Sequence, residues 1–549
     1  MTLQRGVSGD DHGGRRARLV ALALGVLFAV IVGRNAQVSL EGREAGQGVA
    51  VAEADVRRAD IVDRRGELLA SSLPGWSLSA DPRAIWDAGE VARGVASVLP
   101  GIDVAELTKR LSDKERRFIW IKRGLSQRQK QSLFALGLEG LRFEEEMRRV
   151  YPRGALAGHL LGFTDVDGRG VEGIESVFDE RLRDGGESLR LTLDAGAQFA
   201  LEAELDRAIE TFEMKGAAGI IVDASSGAVR AIASWPAVNP NLPSERMEGA
   251  KTNRASGAVF ELGSIFKPLT VASALEAGQL SSDDLFDVSA PVRIGAATVR
   301  DSHPLDHSQA VSVTDIIAQS SNIGAVQIAQ RIGPDRQREF LESLGLLSRM
   351  EYEGPPSAAP LTPGEWDGLT SATVSYGHGI AVSPLAFAMS FVPFANGGFY
   401  LSPTFIEPAD QGRVDRRQVM SSSTARTVLE MMRYTVTSGT GHNADSLGYE
   451  VAGKTGTAEK PGPDGYDPDR NVTSFAAVFP ASRPQFVVLI VLDEATPRSG
   501  EARTAAYTAA TIAGRVISRA APLLGLEPIL TSADDTQRQL QAVSEARSL

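Results

Sequence analysis

The stretch AAGIIVDASSGAVRAIAS, residues 217–234, contains two runs rich in β-branched and small apolar residues. The runs cover residues 217–222 and 228–234, and the sequence Ala224-Ser225-Ser226-Gly227 between them is typical of a turn. Two such runs joined by a short turn predict a β-hairpin. The rest of this region of the chain can be placed around that hairpin.

A second pair of β-rich runs lies far along the chain, at residues 473–479 and 485–492. One antiparallel sheet assembled from both pairs is the simplest arrangement that buries their apolar side chains. Helical spacing of apolar residues marks the stretches that can cover this sheet, namely residues 197–213, 266–277, 313–332, 384–392 and 422–434. The sequence therefore predicts an α+β fold class, an antiparallel sheet covered by helices, over residues 191–530.

The segment before this domain has a different texture. Residues 41–190 are charged and arginine-rich, with short apolar stretches, and we expect an irregular mixed module there. Within it the spacing predicts helices over residues 85–99 and 126–136, a strand over 189–193 and a structured loop over the glycine-rich residues 151–175.

The uncharged run LVALALGVLFAVIVG, residues 19–33, is the membrane candidate of the sequence. As a helix it would rise about 22 Å, and the flanking Arg18 and Arg34 can extend it by snorkelling. A cleaved signal peptide or a buried core helix can have the same length, but the nearest A-x-A sequence lies too far beyond the run for the usual cleavage. We expect one transmembrane helix at residues 19–40, a cytoplasmic tail at 1–18 and the rest of the chain in the periplasm or at the cell exterior.

The composition excludes several classes of function. The chain has 57 Lys and Arg against 69 Asp and Glu, a formal charge of −12, which has the wrong sign for a protein that binds nucleic acid through its phosphates. It has no cysteine, so disulfides, thiolate catalysis and cysteine-ligated metals are excluded. Residues 531–549 are polar, and we expect a frayed tail there.

Histidines are the remaining candidate metal ligands, and none lies in an H-E-x-x-H pattern. His303 and His307 are four residues apart, but Pro304 between them argues against a shared helix face. We therefore expect no metal site, no cofactor, and histidines that lie in solvated loops. The six histidines are His12, His159, His303, His307, His378 and His442.

The first motif that carries chemistry is Ser264-Ile265-Phe266-Lys267, an S-x-x-K sequence. Pro268 is best tolerated in the first turn of a helix, so Ser264 is expected where a helix begins. Residues three apart share a helix face, so the Lys267 amine can reach the Ser264 hydroxyl. A serine hydroxyl needs such a base to act as a nucleophile, and a capping serine beside a snorkelling lysine is the alternative interpretation.

Two more motifs follow in order, Ser320-Ser321-Asn322 and Lys454-Thr455-Gly456. A hydroxyl and an amide near the nucleophile can relay a proton, and a second lysine can anchor a substrate carboxylate. Gly456, which lacks a side chain, would let an extended peptide lie against a strand edge. The ordered set of S-x-x-K, S-x-N and K-T-G is a signature of penicillin-binding proteins and class A β-lactamases.

Residues 448–455 also match the P-loop pattern of nucleotide triphosphatases. A P-loop requires a strand before the pattern and a helix after it. The preceding residues 437–445 are turn formers, and Gly456, Pro461 and Pro463 follow, so neither element is expected. The sequence therefore argues against phosphate binding here.

With these motifs, the chain resembles the class B penicillin-binding proteins, most closely the division-type (septal) D,D-transpeptidases. The most specific stretch is AGKTGTA at residues 452–458; DIVDRRG at 60–66 and GHGIAVSP at 377–384 also match. The resemblance implies the penicillin-binding transpeptidase fold over residues 191–530 and a pedestal (dimerisation-like) domain over residues 41–190.

The resemblance also implies the reaction. Ser264 is expected to be acylated by the penultimate D-Ala of a peptidoglycan stem peptide, which ends in D-Ala-D-Ala, and by β-lactams. Lys267 is the expected base, and Ser320 and Asn322 complete the proton relay. An amine from a neighbouring strand then attacks the acyl-enzyme and makes a cross-link, which identifies the chain as a serine-type acyltransferase of septum formation.

Substrate binding falls to the third motif in this resemblance. Lys454, Thr455 and Thr457 are expected to bind the substrate carboxylate beside Gly456, and the backbone N–H groups of Ser264 and Thr457 to form the oxyanion hole. No glycosyltransferase domain fits before residue 190, so a glycosyltransferase and other division proteins are expected partners.

Other assignments remain open at this point. An elongation-type transpeptidase, a D,D-carboxypeptidase and a β-lactamase share the acylation step and the same motifs. A non-catalytic divisome scaffold or β-lactam receptor, in which Ser264 only senses a ligand, belongs to another class of protein.

Overall fold

The computed structural model describes residues 57–245, 250, 252–295, 297–302, 310–407, 416–462, 465–500 and 502–529. The expected cytoplasmic tail, transmembrane helix and polar tail lie outside the described residues, as do His12, His303 and His307. Among the residues that are described, no helix is long and apolar enough to cross a membrane.

The described chain alternates short strands and helices. The strands are β1 Ile61–Val62, β2 Leu68–Ala80, β3 Ile119–Leu125, β4 Leu141–Val150, β5 Leu189–Arg190, β6 Phe212–Glu213, β7 Gly216–Asp223, β8 Val229–Trp235, β9 Leu285–Phe286, β10 Val292–Ile294, β11 Ala297–Val299, β12 Val311–Ser312, β13 Phe399–Leu401, β14 Arg416–Gln418, β15 Ala452–Gly462, β16 Gly465–Phe479, β17 Phe486–Asp493 and β18 Thr496–Pro497. The α-helices are α1 Ala88–Val98, α2 Val104–Ser112, α3 Gln127–Ala135, α4 Gly158–Leu161, α5 Gly173–Val177, α6 Asp179–Arg183, α7 Ala195–Thr211, α8 Lys267–Glu276, α9 Val313–Ala318, α10 Asn322–Ile332, α11 Pro334–Ser343, α12 Gly368–Val374, α13 Pro384–Asn396, α14 Ser422–Ser438 and α15 Ala509–Leu523.

One antiparallel sheet forms the centre of the second half of the chain, with the strand order β15-β16-β17-β7-β8. The predicted hairpin is β7 and β8, and the second predicted pair is β16 and β17. Strands β17 and β7 pair along their whole length, which joins the two pairs into one sheet. The prediction that both ends of this region share an antiparallel sheet is therefore confirmed, and β15 adds an edge strand to it.

Both faces of this sheet are covered by helices. Side chains of β17 alternate between two cores: Leu489 packs in the core that contains Phe387 of α13, and Ile490 packs in the core that contains Leu201 of α7 and Ile512 of α15. A strand buried on both faces needs apolar side chains at successive positions, which explains the run FVVLIVL in β17. The predicted mixture of helices and sheets is confirmed.

Four of the five helices predicted around the sheet are present within a few residues of their predicted ends, as α7, α8, α13 and α14. The fifth, a single helix over residues 313–332, is wrong because the chain breaks into α9 and α10. Ser320 between them has a φ of 64°, a left-handed conformation that an α-helix cannot contain. The Ser321 side chain then accepts from the Gly324 N–H at 2.9 Å and caps α10.

The first half of the described chain contains a smaller sheet, with the order β3-β2-β1-β5 and with β4 also paired to β2. Helices α1 and α3 correspond to the two predicted ones, but the predicted strand over residues 189–193 is limited to Leu189–Arg190. A separate apolar core containing Leu78, Val95 and Ile119 supports this sheet.

A buried ion network joins three segments of this smaller region. The carboxylate of Glu175 in α5 accepts from Arg58 Nε at 2.7 Å, from Arg149 Nε at 2.6 Å and from Tyr151 Oη at 3.2 Å. The Glu175 side chain is 0% exposed, and those of Arg58 and Arg149 are 6% and 3% exposed. Two buried arginine side chains therefore share the Glu175 carboxylate, and Arg58 also pairs with Asp179 at 2.6 Å.

We expect Glu175→Ala to lower the free energy of unfolding by about 3–5 kcal/mol, because it leaves two buried guanidinium groups without their shared counter-ion. Glu67→Ala is the matched control, since its partner Arg153 and Glu67 itself are 42% and 48% exposed, and a loss below about 1 kcal/mol is expected. Urea denaturation of the full chain measures both. Equal losses for the two variants would contradict the structural role of the buried network.

Candidate active site

Ser264 lies in a single 3₁₀ turn, Gly263–Phe266, which leads directly into α8. Gly263 has a φ of 61°, so a residue without Cβ is suited to this position. The Ser264 side chain is half-buried, and Lys267 one turn later is 0% exposed. The prediction that Ser264 lies where a helix begins is confirmed.

The amine of Lys267 makes its hydrogen bonds to the second motif. Its Nζ lies within hydrogen-bond distance of three oxygens: the Ser320 carbonyl oxygen at 2.5 Å, Ser320 Oγ at 3.1 Å and Asn322 Oδ1 at 2.8 Å. In the part of the chain that the structure describes, no hydrogen bond joins Ser264 to Lys267. The pair expected from the S-x-x-K spacing therefore shares a helix start, but the lysine is oriented by residues of another segment.

Lys454 also contacts the hydroxyl of Ser320. It lies in β15, is 0% exposed, and donates to Ser320 Oγ at 3.0 Å and to the Thr455 carbonyl oxygen at 2.9 Å. The hydroxyl of Ser320 therefore lies within hydrogen-bond distance of two lysine amines, and it can accept from a charged amine and donate to a neutral one. The three motifs, which are far apart in the sequence, meet at this oxygen.

Burial controls the charge of both lysines. Burial, together with the nearby charge of Lys454, lowers the pKa of Lys267 well below its usual range. Burial also lowers the pKa of Lys454 to about 7. A neutral lysine amine can accept a proton, and burial favours that form of both side chains.

The strand that carries Lys454 lies close to the Ser264 turn. A Cβ on Gly456 would lie 2.3 Å from the Leu262 carbonyl oxygen and 2.5 Å from Ser474 Oγ. A Cβ on Gly263 would lie 2.8 Å from the Thr457 carbonyl oxygen. The glycines at 263 and 456 therefore allow two backbone segments to approach each other.

Two threonines complete the third motif. Thr455 is buried and its Oγ1 lies 2.9 Å from Thr440 Oγ1, whereas Thr457 is exposed and its Oγ1 accepts from the Ala505 N–H at 3.1 Å. Thr440 was not among the predicted site residues, because residues 437–445 were interpreted only as turn formers. Helix α14 ends just before Thr440 and so delivers this hydroxyl to β15.

A group close to Ser264 in the sequence was also missed by sequence reasoning. The Glu261 carboxylate, three residues before Ser264, accepts from Tyr466 Oη at 3.0 Å and from the Gly379 N–H at 3.2 Å. Tyr466 belongs to β16, so this contact links the β15–β16 hairpin to the turn that carries the serine. The position of Glu261, three residues before Ser264, was the only feature of the sequence that could have drawn attention to it.

His378 contradicts the expectation of a solvated loop histidine. Its ring lies 5.3 Å from the ring of Tyr376 and 5.1 Å from that of Tyr466, and its side chain is only 22% exposed. Burial lowers the pKa of His378 to about 4, so the ring is neutral at physiological pH. His159 is also half-buried, and its Nε2 lies 2.9 Å from the Pro236 carbonyl oxygen.

The P-loop interpretation is excluded by the same geometry. Lys454 and Thr455 lie inside the strand Ala452–Gly462, and β16 follows that strand. A P-loop would need a helix that begins at this position. Instead, β15 is an edge strand that pairs with β16 on one side and faces the Ser264 turn on the other.

Two regions of the chain match known protein families. Residues 217–517 match the penicillin-binding protein transpeptidase domain, and residues 53–202 match the penicillin-binding protein dimerisation domain.

The chain is also similar to individual proteins along most of its length. It is 39% identical over 500 residues to the probable peptidoglycan D,D-transpeptidase FtsI of Caulobacter vibrioides, covering 88% of this chain and 84% of that protein. It is 30% identical over 557 residues to the probable peptidoglycan D,D-transpeptidase PenA of Neisseria gonorrhoeae, covering 93% of each. The crystal structure of penicillin-binding protein 3 from Mycobacterium tuberculosis with aztreonam has the same fold, with a TM-score of 0.68 at 24% identity over 87% of this chain and 99% of that one.

We expect Gly456→Ala to lower the free energy of unfolding by about 1–3 kcal/mol, because the added methyl group overlaps the Leu262 carbonyl and pushes β15 from the Ser264 turn. Gly462→Ala in the same strand is the control. Its Cβ would make only ordinary contacts, the nearest at 3.4 Å, and a change within about 0.5 kcal/mol is expected. Urea denaturation measures both, and an unchanged Gly456→Ala variant would contradict the close approach of the two segments.

Proposed function

Because this chain belongs to the class B penicillin-binding proteins of the septal type and is a peptidoglycan D,D-transpeptidase, we propose that it forms its acyl-enzyme on Ser264 with Lys267 as the base. One observation carries this assignment of residues. Ser320 Oγ lies 3.1 Å from Lys267 Nζ and 3.0 Å from Lys454 Nζ, beside the turn that holds Ser264.

Acylation begins when the neutral amine of Lys267 takes the proton of Ser264. The Ser264 oxygen forms a bond to the carbonyl carbon of the penultimate D-Ala, and the backbone N–H groups of Ser264 and Thr457 stabilise the negative oxygen that results. The amide bond to the terminal D-Ala then breaks. The proton passes through Ser320 Oγ to the nitrogen of the leaving D-Ala, and Asn322 holds Lys267 in place.

Lys454, Thr455 and Thr457 bind the terminal carboxylate of the substrate. Bound carboxylate stabilises the charged form of Lys454, whose pKa is lowered to about 7 by burial in the free enzyme. The edge of β15 that includes Gly456 pairs with no other strand of the described chain, and an extended peptide can pair with it as an added strand does. Penicillin and other β-lactams present a carboxylate and an acyl carbon to the same groups.

The second half of the reaction transfers the acyl group. An amine from a neighbouring stem peptide attacks the ester carbon, the bond to the Ser264 oxygen breaks, and the serine regains its proton from the attacking nitrogen through the same relay. The product is a cross-link between two strands. The β-lactamases and carboxypeptidases use water in place of this amine.

The setting of the enzyme follows from the organisation of the chain. We place a pedestal domain at residues 41–190 and the transpeptidase domain at residues 191–530, with an anchor at residues 19–40 that crosses the inner membrane once. The amino terminus is cytoplasmic and the catalytic domain is periplasmic. A glycosyltransferase that polymerises the strands, together with division proteins, is the expected set of partners during septum formation.

A fluorescent penicillin tests the assignment of Ser264 and Lys267. We expect the wild-type chain to be labelled, Ser264→Ala to be unlabelled, and Lys267→Ala to be labelled about 10²–10⁴ times more slowly because the base is lost. Lys215→Ala, which removes a lysine that is 58% exposed, is the control and should be labelled at the wild-type rate. Labelling of the Ser264→Ala variant would show that another residue is the nucleophile. An unlabelled wild type would favour the alternative of a non-catalytic divisome scaffold.

The identity of the acyl acceptor needs a separate measurement. With a donor stem peptide that ends in D-Ala-D-Ala and an acceptor amine, we expect a cross-linked dimer and free D-Ala as the products resolved by mass spectrometry. A product that consists only of trimmed monomer would favour the carboxypeptidase. Ser264→Ala, incubated in parallel, should form neither product.

A further inference from the structure

We propose that Asp301 is a positioning residue of the acylation step, which holds the Ser321-Asn322 turn so that Asn322 and Ser320 are presented to Lys267. This inference rests on the proposed function, because it assigns a role relative to the base Lys267. Sequence reasoning did not select Asp301, which lies in none of the three motifs.

The carboxylate of Asp301 accepts three hydrogen bonds at the start of α10. Its Oδ1 accepts from the Asn322 N–H at 2.5 Å and the Ile323 N–H at 3.0 Å, and its Oδ2 accepts from Ser321 Oγ at 2.8 Å. Backbone N–H groups at a helix start lack partners within the helix, and a negative charge is favoured there. Asp301 therefore fastens the first turn of α10 to the segment that follows β11.

The neighbouring residue orients the amide of Asn322. Asn322 Nδ2 donates to the Arg300 carbonyl oxygen at 3.2 Å, which leaves Asn322 Oδ1 to accept from Lys267 Nζ at 2.8 Å. A reversed amide would present its N–H₂ group to the lysine amine. Arg300 and Asp301 together therefore fix both the backbone and the side chain of Asn322.

The turn that is held in this way carries the central hydroxyl of the site. Ser320 precedes the Asp301-bound residues directly and has a φ of 64°, a conformation that a residue with Cβ adopts only when its surroundings hold it there. Its hydroxyl must remain between Lys267 Nζ and Lys454 Nζ for the relay to work. Loss of the Asp301 contacts removes the nearest constraint on this turn.

Asp301 also contributes charge near the base. Three charged or titratable groups lie around Lys267: Lys454, Asp301 and His378. A charge on Lys454 lowers the pKa of Lys267, whereas the charge of Asp301 raises it. A charge on Lys267 lowers the pKa of His378, whose Nδ1 lies 3.7 Å from Glu261 Oε2. Since Asp301 opposes the effects of burial and of Lys454, removal of its charge should lower the pKa of Lys267 further. The base would then remain neutral to a lower pH.

Two substitutions separate these contributions. Asp301→Asn keeps an oxygen that can accept from the backbone N–H groups but removes the charge, whereas Asp301→Ala removes both. Asp315→Asn is the matched control, because Asp315 caps the neighbouring helix α9 through the Ser312 N–H at 3.2 Å and Ser312 Oγ at 2.6 Å. The measurement is the second-order rate constant for acylation of the full chain by a fluorescent penicillin, as a function of pH.

We expect the acid limb of the Asp301→Asn profile to lie at a lower pH than that of the wild type, and the Asp315→Asn limb to coincide with the wild type. We expect Asp301→Ala to be slower at every pH, by up to about 100-fold, because the turn is no longer held. A folded Asp301→Ala variant that is acylated at the wild-type rate overturns the positioning role, and an unmoved acid limb in Asp301→Asn overturns the contribution of its charge. If Asp301→Ala does not fold, the acid limb of the Asp301→Asn profile alone decides whether the Asp301 proposal holds. A wild-type chain that is not acylated at Ser264 contradicts the proposed function instead.

Discussion

Two lysine amines lie within hydrogen-bond distance of a single serine hydroxyl, and both amines are fully buried. Two ammonium groups at this separation repel each other, and burial disfavours the charged form of each. Burial and mutual repulsion therefore both favour the neutral form of at least one of the two amines. The proposed roles of Lys267 as base and Lys454 as anion-binding cation depend on this arrangement around Ser320.

The rest of the domain serves to bring three distant segments to this point. The central sheet, with apolar side chains on both faces of β17, provides a rigid frame between two cores. Its edge strand β15 carries Lys454 and lies against the Ser264 turn because Gly456 and Gly263 have no Cβ. The break between α9 and α10 then places Ser320 in the remaining gap, where an uninterrupted helix would have kept it in a regular helical turn.

Hydrogen bonds between separate elements also hold the polar groups around the site in place. Glu261 joins the Ser264 turn to the β15–β16 hairpin through Tyr466, and Thr440 joins the end of α14 to Thr455. Asp301 satisfies the free N–H groups of α10. Each of these contacts crosses between elements that are not neighbours in the sequence, so each fixes the relative position of two segments around the site.

The sequence by itself determined the elements and the chemistry of this protein. Alternating and helical spacings depend on neighbours a few residues away, so they were sufficient to predict the hairpin at 217–234 and four of the five helices around the sheet. Short local patterns were likewise sufficient to recognise S-x-x-K, S-x-N and K-T-G and to argue against a P-loop. Only the tertiary structure decided which atoms meet. Contacts between residues tens to hundreds of positions apart determine four features: the hydrogen bonds of Lys267 to Ser320 and Asn322, the break at Ser320, the edge position of β15 and the burial of His378. Strand pairing and loss of solvent are set by such contacts, and no local period in the sequence records them.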